Sequence, residues 1–547
     1  MSITLPGTIN AQVIPVLTAP APAAPLTVEN PRDDITLLPY QVEGVRFMLA
    51  REAVGAPICR GGILGDDMGL GKTFQCISLI KSSPLTTARN LIVCPPALVA
   101  GWTEELQACG FSVYHLRAGK ADWVLTGTVL TGTALAASVL QGSATGRPIW
   151  VTTYPKVTIY KRTLCSQEPF DRVILDEGHC IRNGPATERW RACVALTKKT
   201  TCRWILSATP VQNGGTDWRN LCWWLRANCK AHELRTLAPI IMLRRTMAEL
   251  RGVLDSLPPV AAWNVHDLHI TDPEEKAIFQ ALANQLEEAM ESRHVSTLMK
   301  LELYMRIQQF VVHPQVYIES MRRKFGASYP RPDWSSGATK WTACFAELAS
   351  CVRRAVPTII FCQFRVEMDM AAVAAAAMGA KVWSIRGGMT SASVGAAVKE
   401  ARETVAANVS LSAEDRVPVV LIIQIVAGGA GLNLQFCQSI LFLSQHWNPA
   451  VVHQAVGRAV RIGQKAVVQI HVFRVVDSVM DNIDLRMADL HGVKVAGAMS
   501  ICPTFFQGFA PFMPLPKQEI QPVLPVVSDP TEAVSAAEAD EDPTAPS

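Results

Sequence analysis

Two short stretches of this chain carry residues that could act on a phosphate. Gly69-Leu70-Gly71-Lys72-Thr73 places glycines, an ammonium and a hydroxyl within five positions. Glycines let backbone N–H groups close on an anion, and a helix starting there adds the positive end of its dipole. Lys72 is placed to reach the outer phosphates of a nucleoside triphosphate, and the Thr73 hydroxyl to bind Mg²⁺. The second stretch is Asp176-Glu177-Gly178-His179. Asp176 suits a Mg²⁺-holding carboxylate, and Glu177 a base that orients and deprotonates an attacking water. Each stretch also has a plainer reading, a glycine-rich turn without ligand or a carboxylate capping a helix. Found on one chain, they point to ATP and Mg²⁺ as cofactors of a hydrolysis reaction.

Such groups need strands that end beside one another. Gly62–Leu64, Leu91–Val93, Trp150–Thr152, Val173–Leu175 and Trp204–Leu206 are short apolar runs alternating with helical patterns, which predicts a parallel sheet covered on both faces. The loop at 69–73 then follows one strand, and Asp176 ends another, at the edge where α/β sheets bind ligands. A second series follows at 358–361, 382–385, 419–423, 440–443 and 468–473. The expected fold is α/β, with two parallel-sheet lobes in tandem. We expect a disordered segment over 1–33, a first lobe over 34–246, a helical linker over 247–335, a second lobe over 336–495, and a Pro-rich acidic disordered tail over 496–547.

Composition narrows the partners. A hydrophobic fraction of 49% against 18% charged suits buried sheets, and a net charge of +4 gives only a weak general pull toward nucleic acid. The fifteen cysteines include no Cys-x-x-Cys pair, and His179 has no partner at zinc spacing, so zinc is not expected. Residues 417–456 lack Lys, Arg, Asp and Glu, but glycines and amides break them into strand-length runs, so no membrane span is expected.

With both sites placed, the chain resembles the superfamily two helicase motors, specifically the Swi/Snf-type DNA translocases. Leu64 to Thr73 is similar to that family's phosphate loop, including an acidic pair that accounts for Asp66 where the strict motif has glycine. The resemblance implies two RecA-like lobes, a P-loop nucleotide site and duplex DNA as partner. It implies nucleotide contacts from Gln41, Asp66, Met68, Gly69, Leu70, Gly71, Lys72 and Thr73, with Gln41 recognising adenine. Pro95, Thr152 and Thr153 match strand ends that touch the DNA backbone. Ser207-Ala208-Thr209 resembles the motif coupling hydrolysis to lobe movement, with His179 as its link to the nucleotide. In the second lobe, Gly428, Gly429 and Asn433, with Gly431 in a coupling role, resemble motif V, and Trp447 heads a Trp-Asn-Pro segment assigned to DNA. Gln454 to Gln464 resembles motif VI, giving Gln454 a coupling role and making Arg458 and Arg461 arginine fingers.

The stretch Ile174 to Asn183 leans toward the repair and transcription-termination subgroup. Val426, Ser444 and Val460 depart from the family's basic, acidic and histidine residues. The expected activity is a DNA-dependent ATPase translocating on double-stranded DNA as a monomer, with nucleosomes or DNA-bound proteins as further partners the family admits. The expected setting is nuclear, or cytoplasmic for a prokaryote or a virus factory. Two alternatives stay open: an RNA-dependent ATPase, and a catalytically weak DNA-binding scaffold.

Overall fold

The computed structural model describes residues 27–53, 59–84, 89–117, 123–125, 147–227, 234–251, 254, 257–326, 329–428, 432–477 and 483–502. The disorder expected at the two ends falls mostly outside these residues.

The first sheet holds β1 (Gly61–Leu64), β2 (Asn90–Cys94), β3 (Ser112–Leu116), β4 (Trp123–Leu125), β5 (Pro148–Thr153), β6 (Arg172–Asp176), β7 (Cys202–Leu206) and β8 (Met242–Leu243). Their order is β4-β3-β5-β2-β6-β7-β1-β8, parallel throughout except for the β3–β4 pair. Alternate side chains enter opposite cores: Leu91 and Val93 pack on one face, Ile92 and Cys94 on the other. Each such fully buried side chain contributes about 1.5–3 kcal/mol, which is why these strands are apolar on both sides. One charged exception is Arg172, whose guanidinium lies between Glu52, Asn90 and Ser83 and ties the helix Pro39–Ala53 to the sheet.

The second sheet is wholly parallel, in the order β11-β12-β10-β13-β14-β9. It contains β9 (Ala262–Leu268), β10 (Thr358–Cys362), β11 (Lys381–Ile385), β12 (Val419–Gln424), β13 (Ser439–Phe442) and β14 (Gln469–Val475). Among the described residues the uncharged stretch 417–456 thus holds two short strands, the short helix Ile425–Gly428 and the helix Pro449–Val456. Among the described residues no helix is long and apolar enough to cross a membrane.

Three boundaries move. The segment expected to be a helical linker contains β9, which pairs with β14 along its whole length. As an edge strand it is half-exposed and carries Asn264, His266 and Asp267, so no apolar run marks it; Arg474 of β14 holds Asp267 through two bonds of 2.8 and 2.9 Å. Residues 27–33 are ordered against the first lobe, where the Glu29 N–H donates to Ser82 Oγ at 2.8 Å and Asn30 Oδ1 accepts from the Leu37 N–H at 3.1 Å. Residues 496–502 are not tail either. They end the helix Ile483–Met499 and place Ala498 and Ile501 in the first lobe's core.

Candidate active site

The phosphate loop bends where its sequence allows. Gly69 and Gly71 have φ of 82° and 75°, the left-handed region that glycine enters without penalty. A Cβ at Gly71 would come within 2.4 Å of the Gln41 amide, and one at Gly69 within 2.7 Å of Arg461 Cβ. The helix Lys72–Ser82 starts immediately afterward with no side chain capping it, so its first N–H groups face outward as an anion site. Lys72 Nζ curls back over the loop, donating to the carbonyls of Asp66 and Asp67 at 2.7 and 3.1 Å.

The acidic pair before the glycines turns inward. Asp66 is fully buried and accepts from the Arg245 N–H and Nε at 3.1 and 3.0 Å and from Gln75 at 3.0 Å. Asp67 accepts from Arg244 at 2.7 Å and from the Met247 N–H at 3.1 Å. The Asp66 side chain therefore shapes the loop and does not face a nucleotide, a correction to its expected role. Gln41 is also engaged: its Oε1 accepts from the Leu38 N–H at 2.9 Å, and its Nε2 donates to Leu70 O at 3.3 Å.

Asp176 ends β6 beside this loop, and its carboxylate accepts a 2.7 Å hydrogen bond from Trp102 Nε1. Burial first, and the neighbouring Glu177 charge second, push its carboxyl up to about 6, with the Trp102 bond working in the opposite direction. Burial also opposes ionisation of Glu177, but His179, Arg458 and Lys72 outweigh it and hold that carboxyl below its usual range. Glu177 has φ 49°, a left-handed backbone that costs a non-glycine residue about 1–2 kcal/mol. Such strain concentrates at functional positions. His179 Nδ1 stands 3.2 Å from Glu177 Oε2 and 3.3 Å from Ser207 Oγ.

Sequence reasoning passed over Trp102, a buried residue of the helix Val99–Ala108 that belongs to no recognised motif. Trp102→Phe keeps a ring in the core and removes the donor. Turnover is expected to fall by about tenfold, the scale of one lost bond to a charged group. The check is steady-state turnover beside a thermal midpoint within a few degrees of the parent's; unchanged turnover sinks the assignment.

The second lobe supplies the opposite wall. Arg458 is buried and lies within electrostatic reach of Glu177. A Cβ at Gly457 would lie 3.0 Å from Met68, so the motif that carries Arg458 abuts the phosphate loop directly. Thr209 Oγ1 and Gln454 Nε2 are buried without a hydrogen-bond partner among the described residues. Asn448 Nδ2 donates to Gln212 Oε1 at 2.6 Å, a direct bond between the lobes.

Two domain families match the chain: residues 40–232 match the SNF2-related domain and residues 340–463 the helicase conserved C-terminal domain. The two matches fall one on each lobe and together cover more than half of the sequence. The chain belongs to the Swi/Snf-type, helicase-like ATPases. It is 25% identical over 461 residues to the probable global transactivator of Orgyia pseudotsugata multicapsid polyhedrosis virus, covering 79% of this chain and 85% of the relative. It is 32% identical over 194 residues to the DNA repair and recombination protein RAD54-like of Drosophila mojavensis, covering 34% of this chain and 24% of the relative. It thus spans most of the viral relative and about a quarter of the insect one. The Sulfolobus solfataricus SWI2/SNF2 ATPase core in complex with dsDNA aligns at 20% identity and a TM-score of 0.36, covering 82% of this chain and 90% of that one.

As a Swi/Snf-type ATPase, the protein hydrolyses ATP. Several residues tied to DNA by resemblance have other neighbours here. Pro95 follows β2, whereas Thr152 and Thr153 are buried at the end of β5, with Thr153 Oγ1 capping the helix Tyr154–Ile159. In the first turn of that helix Pro155 is exposed and Lys156 half-buried. Trp447 packs edge-on against Tyr304 at 6.0 Å, and Asn433 Oδ1 accepts from the Gln435 N–H. Gly428 ends the short helix Ile425–Gly428, whereas Gly429 and Gly431 lie outside the described residues. Of the three departures, Val426 is exposed and Val460 packs on the second lobe's core. Ser444 has a local explanation: its hydroxyl bonds to the buried Glu367 and accepts from the Gln363 N–H.

Proposed function

We propose that the protein binds ATP and Mg²⁺ between its lobes and uses hydrolysis to translocate along double-stranded DNA without separating the strands. The observation that carries the reading is the convergence of the phosphate loop, Asp176, Glu177 and Arg458 from two lobes on one site. The loop fits the nucleotide: its glycines bend where any side chain would clash, and its helix begins uncapped. Lys72 and the loop backbone would hold the triphosphate, and Thr73 and Asp176 the Mg²⁺, which supplies charge neutralisation at the phosphate oxygens when bound. Ionised Glu177 takes the proton of the attacking water. His179 and Ser207 carry its position toward Thr209, and Arg458 meets the developing charge from the second lobe.

DNA as the partner is supported by the family and by the repair and recombination relative's own name. The setting that follows is one where duplex DNA is handled, nuclear or viral, with the protein acting as a monomer.

Duplex DNA should therefore raise the turnover rate more than single-stranded DNA or RNA does. Contacts to phosphates release counterions, so the stimulation should fade between about 50 and 200 mM salt. Side-by-side turnover assays check this. A preference for RNA would give the site to an RNA-dependent ATPase, and DNA binding without stimulation would fit a scaffold. In strand-displacement assays we expect little product, against clear displacement of a third strand from a triplex.

A further inference from the structure

We infer that Gln212 and Asn448 are a positioning pair that sets Arg458 against Glu177. The inference rests on the role proposed above for those two residues. Gln212 lies past the Ser207–Thr209 loop that follows β7, and its side chain is buried at 2% exposure. Its backbone is pinned by Asp217, which accepts from the Gln212 and Asn213 N–H groups at 2.9 and 2.8 Å and faces Arg182 at 3.8 Å.

Asn448 uses both ends of its amide. Oδ1 accepts from the Ala450 N–H at 3.0 Å and caps the helix Pro449–Val456, while Nδ2 reaches Gln212 Oε1. The helix cap needs an acceptor, so the amide cannot turn over, and its donor must face the first lobe. From Asn448 the helix runs rigidly to Gly457 and Arg458, whose N–H groups still bond to the carbonyls of His453 and Ala455.

On the first-lobe side the connections lead to the same place. The Thr209 N–H donates to Ser207 Oγ at 3.3 Å, Ser207 meets His179, and His179 meets Glu177. Arg458 closes the ring by its attraction to Glu177. A change at Glu177 therefore reaches the second lobe by two routes, directly through Arg458 and indirectly through the Gln212–Asn448 bond. The bond fixes where the helix starts, and so where the arginine at its other end stands.

The test is a mutant cycle on the full chain. Asn448→Ser keeps a good helix cap but is too short to reach Gln212, and Gln212→Ala removes the acceptor alone. Each should lower kcat by about tenfold, the effect of one buried bond lost, with the KM for ATP within about twofold of the parent's. The double variant should be no slower than either single one, and Gln212→Ala should add nothing in an Arg458→Ala background. A single variant at the parental rate, losses that multiply, or an added loss without Arg458 would overturn the pair. Every rate is measured with and without duplex DNA. A parent indifferent to DNA would sink the translocase reading, while the cycle stays readable in the basal rate.

Discussion

Replacing Arg458 with alanine is expected to cut stimulated ATP turnover by about 10³–10⁵, the usual effect of losing an arginine finger, while nucleotide affinity stays close to the parent's. On the proposed mechanism the first lobe's glycine loop, Lys72 and two carboxylates would hold the triphosphate and its Mg²⁺. Arg458 instead comes from beyond the helix Pro449–Val456, is buried, and lies within electrostatic reach of Glu177. On the proposed mechanism its contribution would be to charge that develops during the reaction and is absent in the ground state. Arg458→Lys should fail as well, because a point charge on a flexible stem does not reproduce the guanidinium fork. Nucleotide titration and turnover on the same preparation decide the matter. Weak binding with an intact rate per bound nucleotide would make Arg458 a binding residue only.

Glu177→Gln should give an equally large loss of another kind. The amide keeps the shape but cannot accept a proton, so ATP should bind and persist unhydrolysed. The carboxylate is suited to its work because His179, Arg458 and Lys72 keep it ionised against the effect of burial, whereas Asp176 beside it is pushed up toward neutrality. Two adjacent acids held at different affinities for a proton are a common mark of divided labour. Lys72→Ala, by contrast, should fail at binding. Filter binding of labelled ATP separates the two variants, and turnover at the parental rate in Glu177→Gln would remove Glu177 from the chemistry.

Much of this was legible in the sequence because the strands are buried on both faces. Runs such as Val173-Ile174-Leu175 and Val419 to Ile423 have no polar face to confuse the period, and each is a strand of the structure. The strands that escaped notice lie at or next to the sheet edges: β3 and β4 at one end of the first sheet, β8 at the other, and β9 in the second. β9 mixes polar and apolar residues without a regular period, and β8 is two residues long. The phosphate loop and the acidic pair after β6 were readable because their chemistry is local. Trp102 was not, because its bond to Asp176 joins residues that only the packing of the helix Val99–Ala108 on the sheet brings together. Asp66 misled for a related reason: its partner Arg245 stands 179 residues away, so nothing near it in sequence shows that its carboxylate is already satisfied. The same holds for Gln212 and Asn448, each part of a recognised segment but paired only across the lobes.

Among the described residues the chain passes between the lobes twice. It leaves the first lobe after β8 and enters the second sheet at β9, and the helix Ile483–Met499 brings it back so that Ala498 and Ile501 are buried in the first lobe's core. A body held at two points keeps fewer ways to move than one on a single tether: it can swing about the line joining its supports but can hardly slide or twist. Bringing the walls of the cleft together is then an intramolecular event at high effective concentration. Most of the orientational entropy of closure has been removed in folding, and the interaction energy of the nucleotide is left to select an angle instead of recruiting a partner.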